Sequence, residues 1–201
     1  MENASHNILK LSGMVSSDPE FSHESHGTSF YSFKIEARRL SGTYDTINAL
    51  INEKLLDECN FKNGDFITTN SELRSFNQKS DEGSKLIVSA FIKDVSRSES
   101  ECFENELILT GTICKKPVYR KTPLGREICD IMLAINRRYR RSDYIPLIIW
   151  GRNARIADSY DTGDVITVTG RVQSREYIKV IDGEEFIKTA YEVSVSSIEA
   201  V

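Results

Sequence analysis

The sequence predicts an all-β chain with one short helix per domain, folded as two tandem five-stranded Greek-key barrels. Three observations carry this. Laid over itself with a shift of 98 residues, the chain matches Asn7 with Asn105, Leu11 with Leu109, Gly13 with Gly111, Pro19 with Pro117, Phe21 with Tyr119, Gly27 with Gly125, Arg39 with Arg137 and Asp45 with Asp143, without a gap. A period this long means duplicated domains, because solenoid repeats run to about 20 to 50 residues. Within each copy, short runs rich in β-branched and aromatic residues alternate with Gly, Pro and Asp breaks. The full 201 residues are enough for two domains of about 100 residues each.

The elements follow in order. In the second copy, ELILTGTIC, REICDIMLAIN, YIPLIIWG, DVITVTGRVQSREYIKVI and EFIKTAYEVSVSSI read as strands. Between the third and fourth, NARIADSYDTG sets Ala154, Ala157 and Tyr160 at helical spacing and closes on Gly163. Asp182-Gly183 between apolar positions marks a tight hairpin joining the last two strands. Five strands with a helix between the third and fourth is the element order of the OB-fold. The first copy repeats it, with Gly64-Asp65 matching Gly163-Asp164 after a one-residue slip. The seam SRSESECFE, residues 96–104, reads as a linker, which places the domains at 1–98 and 103–201.

Composition excludes several classes. No run approaches the roughly 18 apolar residues of a membrane helix, and MENASHNILK lacks a basic segment followed by an apolar one, so no membrane partner and a cytoplasmic location are expected. Cys59, Cys102, Cys114 and Cys129 form no CxxC pair and lie far from His6, His23 and His26, so neither a zinc site nor a disulfide framework is expected. The HESH tract at 23–26 reads as a solvent-facing loop. There is no carboxylate cluster with a Lys or His partner, no GxxxxGK loop and no nucleophile motif, so no catalytic residue, cofactor or enzyme activity is expected.

Charge is distributed unevenly. The net charge is −4, yet residues 115–155 hold eleven basic groups against Glu127, Asp130 and Asp143, a local net of +8. Charges screened over about 8 Å act by patch, so the global sign does not exclude a phosphate-bearing partner. The stretch AINRRYRRSDYIPLIIWGRNA concentrates this patch around aromatic residues. Strand side chains alternate between faces, which sends Ile145, Leu147 and Ile149 inward and leaves Tyr144, Pro146, Ile148 and Trp150 on the outer wall. Along the next strand Ile166, Val168, Gly170 and Val172 point inward while Arg171, Gln173, Arg175 and Tyr177 point outward. A basic and aromatic wall suits unpaired nucleic acid, with cations along the phosphates and each ring–base stack contributing about 1–3 kcal/mol. Pro146 inside a strand signals an edge or a bulge.

The second copy resembles the DNA-binding domain of bacterial single-stranded DNA-binding proteins. The resemblance rests on NELILTGTICKKPVYRKTPLG, DIMLAINRRY, YIPLIIWGRNARIADSYDTGDVITVTGRVQSREY and EVSVSSI, about 95 residues in all. It implies base-stacking rings at Tyr139, Tyr144, Trp150 and Tyr177. It also implies phosphate contacts at Lys115, Lys116, Arg137, Arg138, Arg152, Arg171 and Arg175, and the charge run adds Arg140 and Arg141. In the first copy those ring positions become Ser41, Thr46, Asn52 and Gln78, so that barrel is expected to be structural or partner-docking, with weak DNA contact at Arg38, Arg39 or Phe76. The resemblance implies a non-enzymatic binder of single-stranded DNA in replication, repair or recombination, associated with the bacterial nucleoid. It further implies a homodimer supplying four barrels, with replication proteins docking on the N-terminal barrel. Family members usually end in a flexible tail with an acidic tip, whereas this chain stops at SSIEAV, which puts recruitment by that route in doubt. Two alternatives stand beside this: a protein-interaction module of the primosomal restart type, and an RNA-binding OB-fold.

Overall fold

A computed structural model describes residues 6–80, 83–137, 141–181 and 183–201. The first half folds as β1 (Asn7–Val15), β2 (Glu20–Ser25), β3 (Thr28–Arg38), β4 (Tyr44–Asn52), α1 (Glu53–Cys59), β5 (Phe66–Ser80) and β6 (Gly83–Ser98). The second repeats the order as β7 (Asn105–Ile113), β8 (Val118–Lys121), β9 (Glu127–Asn136), β10 (Ser142–Trp150), α2 (Arg152–Ala157), β11 (Val165–Ile181) and β12 (Glu184–Ala200). In the first barrel β1 pairs β5 and its end meets β3, β3 pairs β4, β4 runs parallel to β6, and β6 returns to β5. Five strands close the circle, as in an OB-fold. The short β2 and β8, not expected from the sequence, hang on β3 and β9 as hairpin arms.

Periodicity located the core. Leu9, Leu11, Ile35, Ile47, Ile67 and Leu73 fill the first barrel, and Leu109, Ile113, Leu133, Ile145, Ile166 and Val168 the second, all at most 1% exposed. The repeated residues do the same work twice. The Asn7 amide donates to Leu73 O and accepts from Leu73 N, while Asn105 makes the same pair with Val172, at distances between 2.8 and 3.0 Å. Gly13 and Gly111 sit where the first strand of each barrel turns beneath the third. A Cβ on Gly111 would lie 2.6 Å from Ala134 O and 2.9 Å from the Leu133 side chain.

Two expectations need correction. The helix expected over NARIADSYDTG is only Arg152–Ala157, and its C-cap is Asp158. Ala154 and Ala157 are buried as the spacing predicted, but Tyr160 lies beyond the helix, and Gly163, at φ 101°, belongs to the following turn, where its N–H donates to Ile113 O. Pro146 marks neither an edge nor a bulge. β10 is an inner strand, and its parallel register with β12 begins only at Leu147, so the missing N–H lies outside that register. Asp182 lies outside the described residues; the last pair of the β11–β12 register is Ile181 with Glu184.

The halves form one twelve-stranded sheet through antiparallel pairing of β1 with β7. Leu9 pairs with Leu107, its own equivalent in the repeat, and Ile8 pairs with Ile108 as Lys10 does with Glu106. A local two-fold axis therefore passes through the Leu9–Leu107 pair, the isologous geometry of a symmetric dimer within one chain. Two buried carboxylates obey the same symmetry. Asp45 accepts from Ser174 N at 2.8 Å and from Arg39 Nε at 2.6 Å, and Asp143 accepts from Ser75 N at 2.6 Å. In return Ser174 Oγ accepts from Thr46 N and Ser75 Oγ from Tyr144 N. Each barrel thus holds the other's long hairpin strand. Crowding at Gly111 sets an expectation: Gly111→Ala should lower the unfolding free energy by about 1–3 kcal/mol in a urea titration. An unchanged midpoint would show that the strand crossing can open.

Candidate nucleic-acid interface

Alternation along β10 places the rings as expected. Ile145, Leu147 and Ile149 are buried, while Tyr144 is 46% and Trp150 36% exposed. Ile148 departs from the expectation. It belongs to the outer wall, yet it is 5% exposed, flanked by Asp130 on β9 and Ser194 on β12. Along β11, Ile166, Val168 and Val172 are buried and Tyr177 is 39% exposed. Gln173 was expected in solvent. It is buried, with Nε2 donating to Glu192 at 2.8 Å. Arg175 reaches Glu192 at 3.5 Å and lies 5.8 Å over the Tyr177 ring, so its charge and that ring form one surface.

Trp150, Arg171, Gln173 and Arg175 line a groove of about 940 Å³ to which the first barrel contributes Lys34, Arg39, Tyr44 and Thr46, with Arg126 also lining it. Five basic groups line it against one carboxylate, Glu176. Hydrogen bonding to Asp45 raises the Arg39 pKa further, so this residue stays charged. Tyr44 was missed by sequence reasoning. The shift of 98 pairs it with Ser142, so neither the repeat nor the family pattern flags it, although it is exposed and adds a second ring beside Trp150.

The remaining expected residues scatter. Arg137 does not reach this groove. Its Nε lies 2.8 Å from Asp143, and with Arg141 it lines a second hollow against the outer face of β5 and β6 in the first barrel. Tyr144 sits at the seam between barrels, its N–H on Ser75 Oγ at 2.7 Å. Lys115 and Lys116, beyond β7, and Arg152, opening α2, are exposed and line neither hollow. Arg138, Tyr139 and Arg140 lie outside the described residues. The structure therefore groups Trp150, Arg171 and Arg175, with Tyr177 continuing the same strand, and adds Lys34, Arg39, Tyr44 and Arg126.

Comparison with known proteins follows the same division. The sequence profile of the Single-strand binding protein family matches residues 104–201. Single-stranded DNA-binding protein 2 of Streptococcus agalactiae serotype III (strain NEM316) is 35% identical over 102 residues, which is 47% of this chain and 75% of that protein. The chain belongs to the single-strand binding protein family. Single-stranded DNA-binding protein A of Bacillus subtilis (strain 168), another family member, is 30% identical over 102 residues, 47% of this chain and 59% of that protein. The likeness of fold extends over both barrels. The wild-type single-stranded DNA-binding protein from Thermus aquaticus superposes with a TM-score of 0.78, covering 98% of this chain and 93% of that one at 18% identity.

Asp143 offers a test of the seam. Burial pushes its carboxyl above the usual carboxylate range and the Arg137 guanidinium below its own, although Ser75 N, Arg137 and Arg74 all oppose the shift at Asp143. A carboxyl that titrates higher when folded favours the folded state in acid, and that contribution is lost as pH rises through the raised value. The unfolding free energy of the wild type, relative to Asp143→Asn, should therefore improve as pH falls from about 7 to about 4. A pH-independent difference would show that Asp143 titrates normally.

Proposed function

We propose that this chain is a non-enzymatic binder of single-stranded DNA, serving replication, repair or recombination by covering exposed strands. One observation carries the reading: the only tryptophan of the chain stands half-exposed in a groove lined by five basic groups, of which Arg39 and Arg175 are paired with Asp45 and Glu192 while Lys34, Arg126 and Arg171 face the single lining carboxylate, Glu176. An unpaired strand meets three needs there. Its bases stack on Trp150, Tyr44 and Tyr177, its phosphates meet Arg171, Arg175 and Lys34, and neither demands a particular base. The family membership and the names of the relatives support the same ligand. Among the described residues no helix is long and apolar enough to cross a membrane. The nucleoid is the proposed location because that is where unpaired strands arise.

The assembly we propose is a homodimer supplying four barrels. Its support is the face of the shared sheet around the two-fold axis, where Ile8 and Ile108 lie side by side, 46% and 41% exposed among the described residues. Native mass measurement tests this, with two chains as the expected result and a single chain as the overturning one.

Trp150 fluorescence tests the ligand. Saturation with oligo-dT should quench it strongly, and Trp150→Ala should weaken binding by about 1–3 kcal/mol while leaving the salt dependence nearly fixed. Arg171→Ala should act on the other variable, reducing the slope of log affinity against log salt by about 0.7, the contribution of one phosphate. Fluorescence unchanged by oligo-dT would overturn the reading.

A further inference from the structure

We propose that the N-terminal barrel carries a second surface for single-stranded DNA, with rings at positions the repeat does not predict and with cations lent by the other barrel. This rests on the ligand assigned above and adds a second track for it. The two-fold axis at Leu9–Leu107 relates the Trp150 groove to the second hollow, which is lined by Arg74, Phe91 and Lys93 of the first barrel and by Asn136, Arg137 and Arg141 of the second. The position equivalent to Trp150 is Asn52, which has no ring to offer. Its neighbours on the same wall supply two. Phe30 lies directly opposite Asn52 on β3, and Phe91 lies beside Leu50 on β6, two residues from Asn52 and therefore on the same face.

The rings are arranged as a platform. Phe30 and Phe91 have centroids 5.8 Å apart, and His23 stacks on Phe30 at 5.1 Å with planes 13° apart. Phe76 continues the wall along β5, 54% exposed, four residues from Glu72, the cross-strand partner of Phe91. Four residues span about 14 Å, so Phe76 and Phe91 would serve different bases. The cations stand where phosphates would run. The Arg74 guanidinium lies 5.3 Å and the Lys93 ammonium 5.6 Å from the centre of the Phe91 ring; Arg74 is held by Glu72 and Asp143, so Lys93 and Arg141 are the cations left to meet phosphates. Arg141, just before β10, completes it, so a cation of the second barrel serves a strand lying over the first. The outer wall of the first barrel carries its rings one strand to either side of the position equivalent to Trp150, which is why a residue-by-residue shift finds none.

The test uses the full chain, poly-dT, and a short oligo-dT that fills only one groove, with Phe91→Ala, Phe76→Ala and Lys93→Glu compared with wild type. Each variant should reduce the number of nucleotides occluded per chain on poly-dT; Phe91→Ala and Phe76→Ala should weaken long-strand binding by about tenfold, the effect of one lost stack, and Lys93→Glu should weaken it while lowering its salt dependence by about the share of one phosphate. Quenching of Trp150 by the short oligo should stay at its wild-type level. Phe76 and Lys93 are exposed, so these two variants carry the test if Phe91→Ala does not fold. Site size and long-strand affinity equal to wild type in Phe76→Ala and Lys93→Glu would overturn the second surface, even with the short-oligo quenching intact. Loss of that quenching in the unaltered protein would instead remove the ligand assignment itself.

Discussion

Two carboxylates buried at the seam, Asp45 and Asp143, determine how everything else in this molecule is placed. Each accepts a backbone N–H from the long hairpin strand of the other barrel, and neither has water to turn to, since both side chains are fully covered. A buried carboxylate left without its partners costs several kcal/mol, so the halves are held in one relative orientation. That orientation brings Lys34, Arg39 and Tyr44 into one groove with Trp150, and Arg141 into one hollow with Phe91. Neither groove belongs to one barrel. Both are made at the boundary between them.

Arg137 looks from its sequence context like one more phosphate ligand in a basic run. Its guanidinium is occupied by Asp143, just as Arg39 is by Asp45, and this pairing recurs because it serves the seam. The acidic first half of the chain, for its part, contributes cations to the groove of the second. A domain-by-domain count of charge misses this, because the field at a groove is set by the groups that face it and screening removes those more than about 8 Å away.

Much of the architecture was legible in the residues. Alternation in YIPLIIWG and in the strand after it gave the facing of nearly every side chain, and the repeated Asn, Gly, Arg and Asp positions turned out to be backbone braces, crossings and seam contacts. What stayed hidden depended on neighbours distant in the chain. Ile148 and Gln173 sit on the outer wall but are covered by strands that pair beside them. Tyr44 and Phe91 come to line hollows only once two barrels are set side by side, and nothing local in either stretch announces that. The helix was overextended because Tyr160 keeps helical spacing while packing against the core from a turn.

The pairing of Leu9 with Leu107 has an evolutionary consequence. Where two identical subunits meet about an axis, any substitution appears on both sides at once and must be tolerated twice. Here the two sides are encoded separately. One copy carries Asn52 with rings at Phe30 and Phe91 while the other carries Trp150, so a single gene can hold two dissimilar outer walls around one axis.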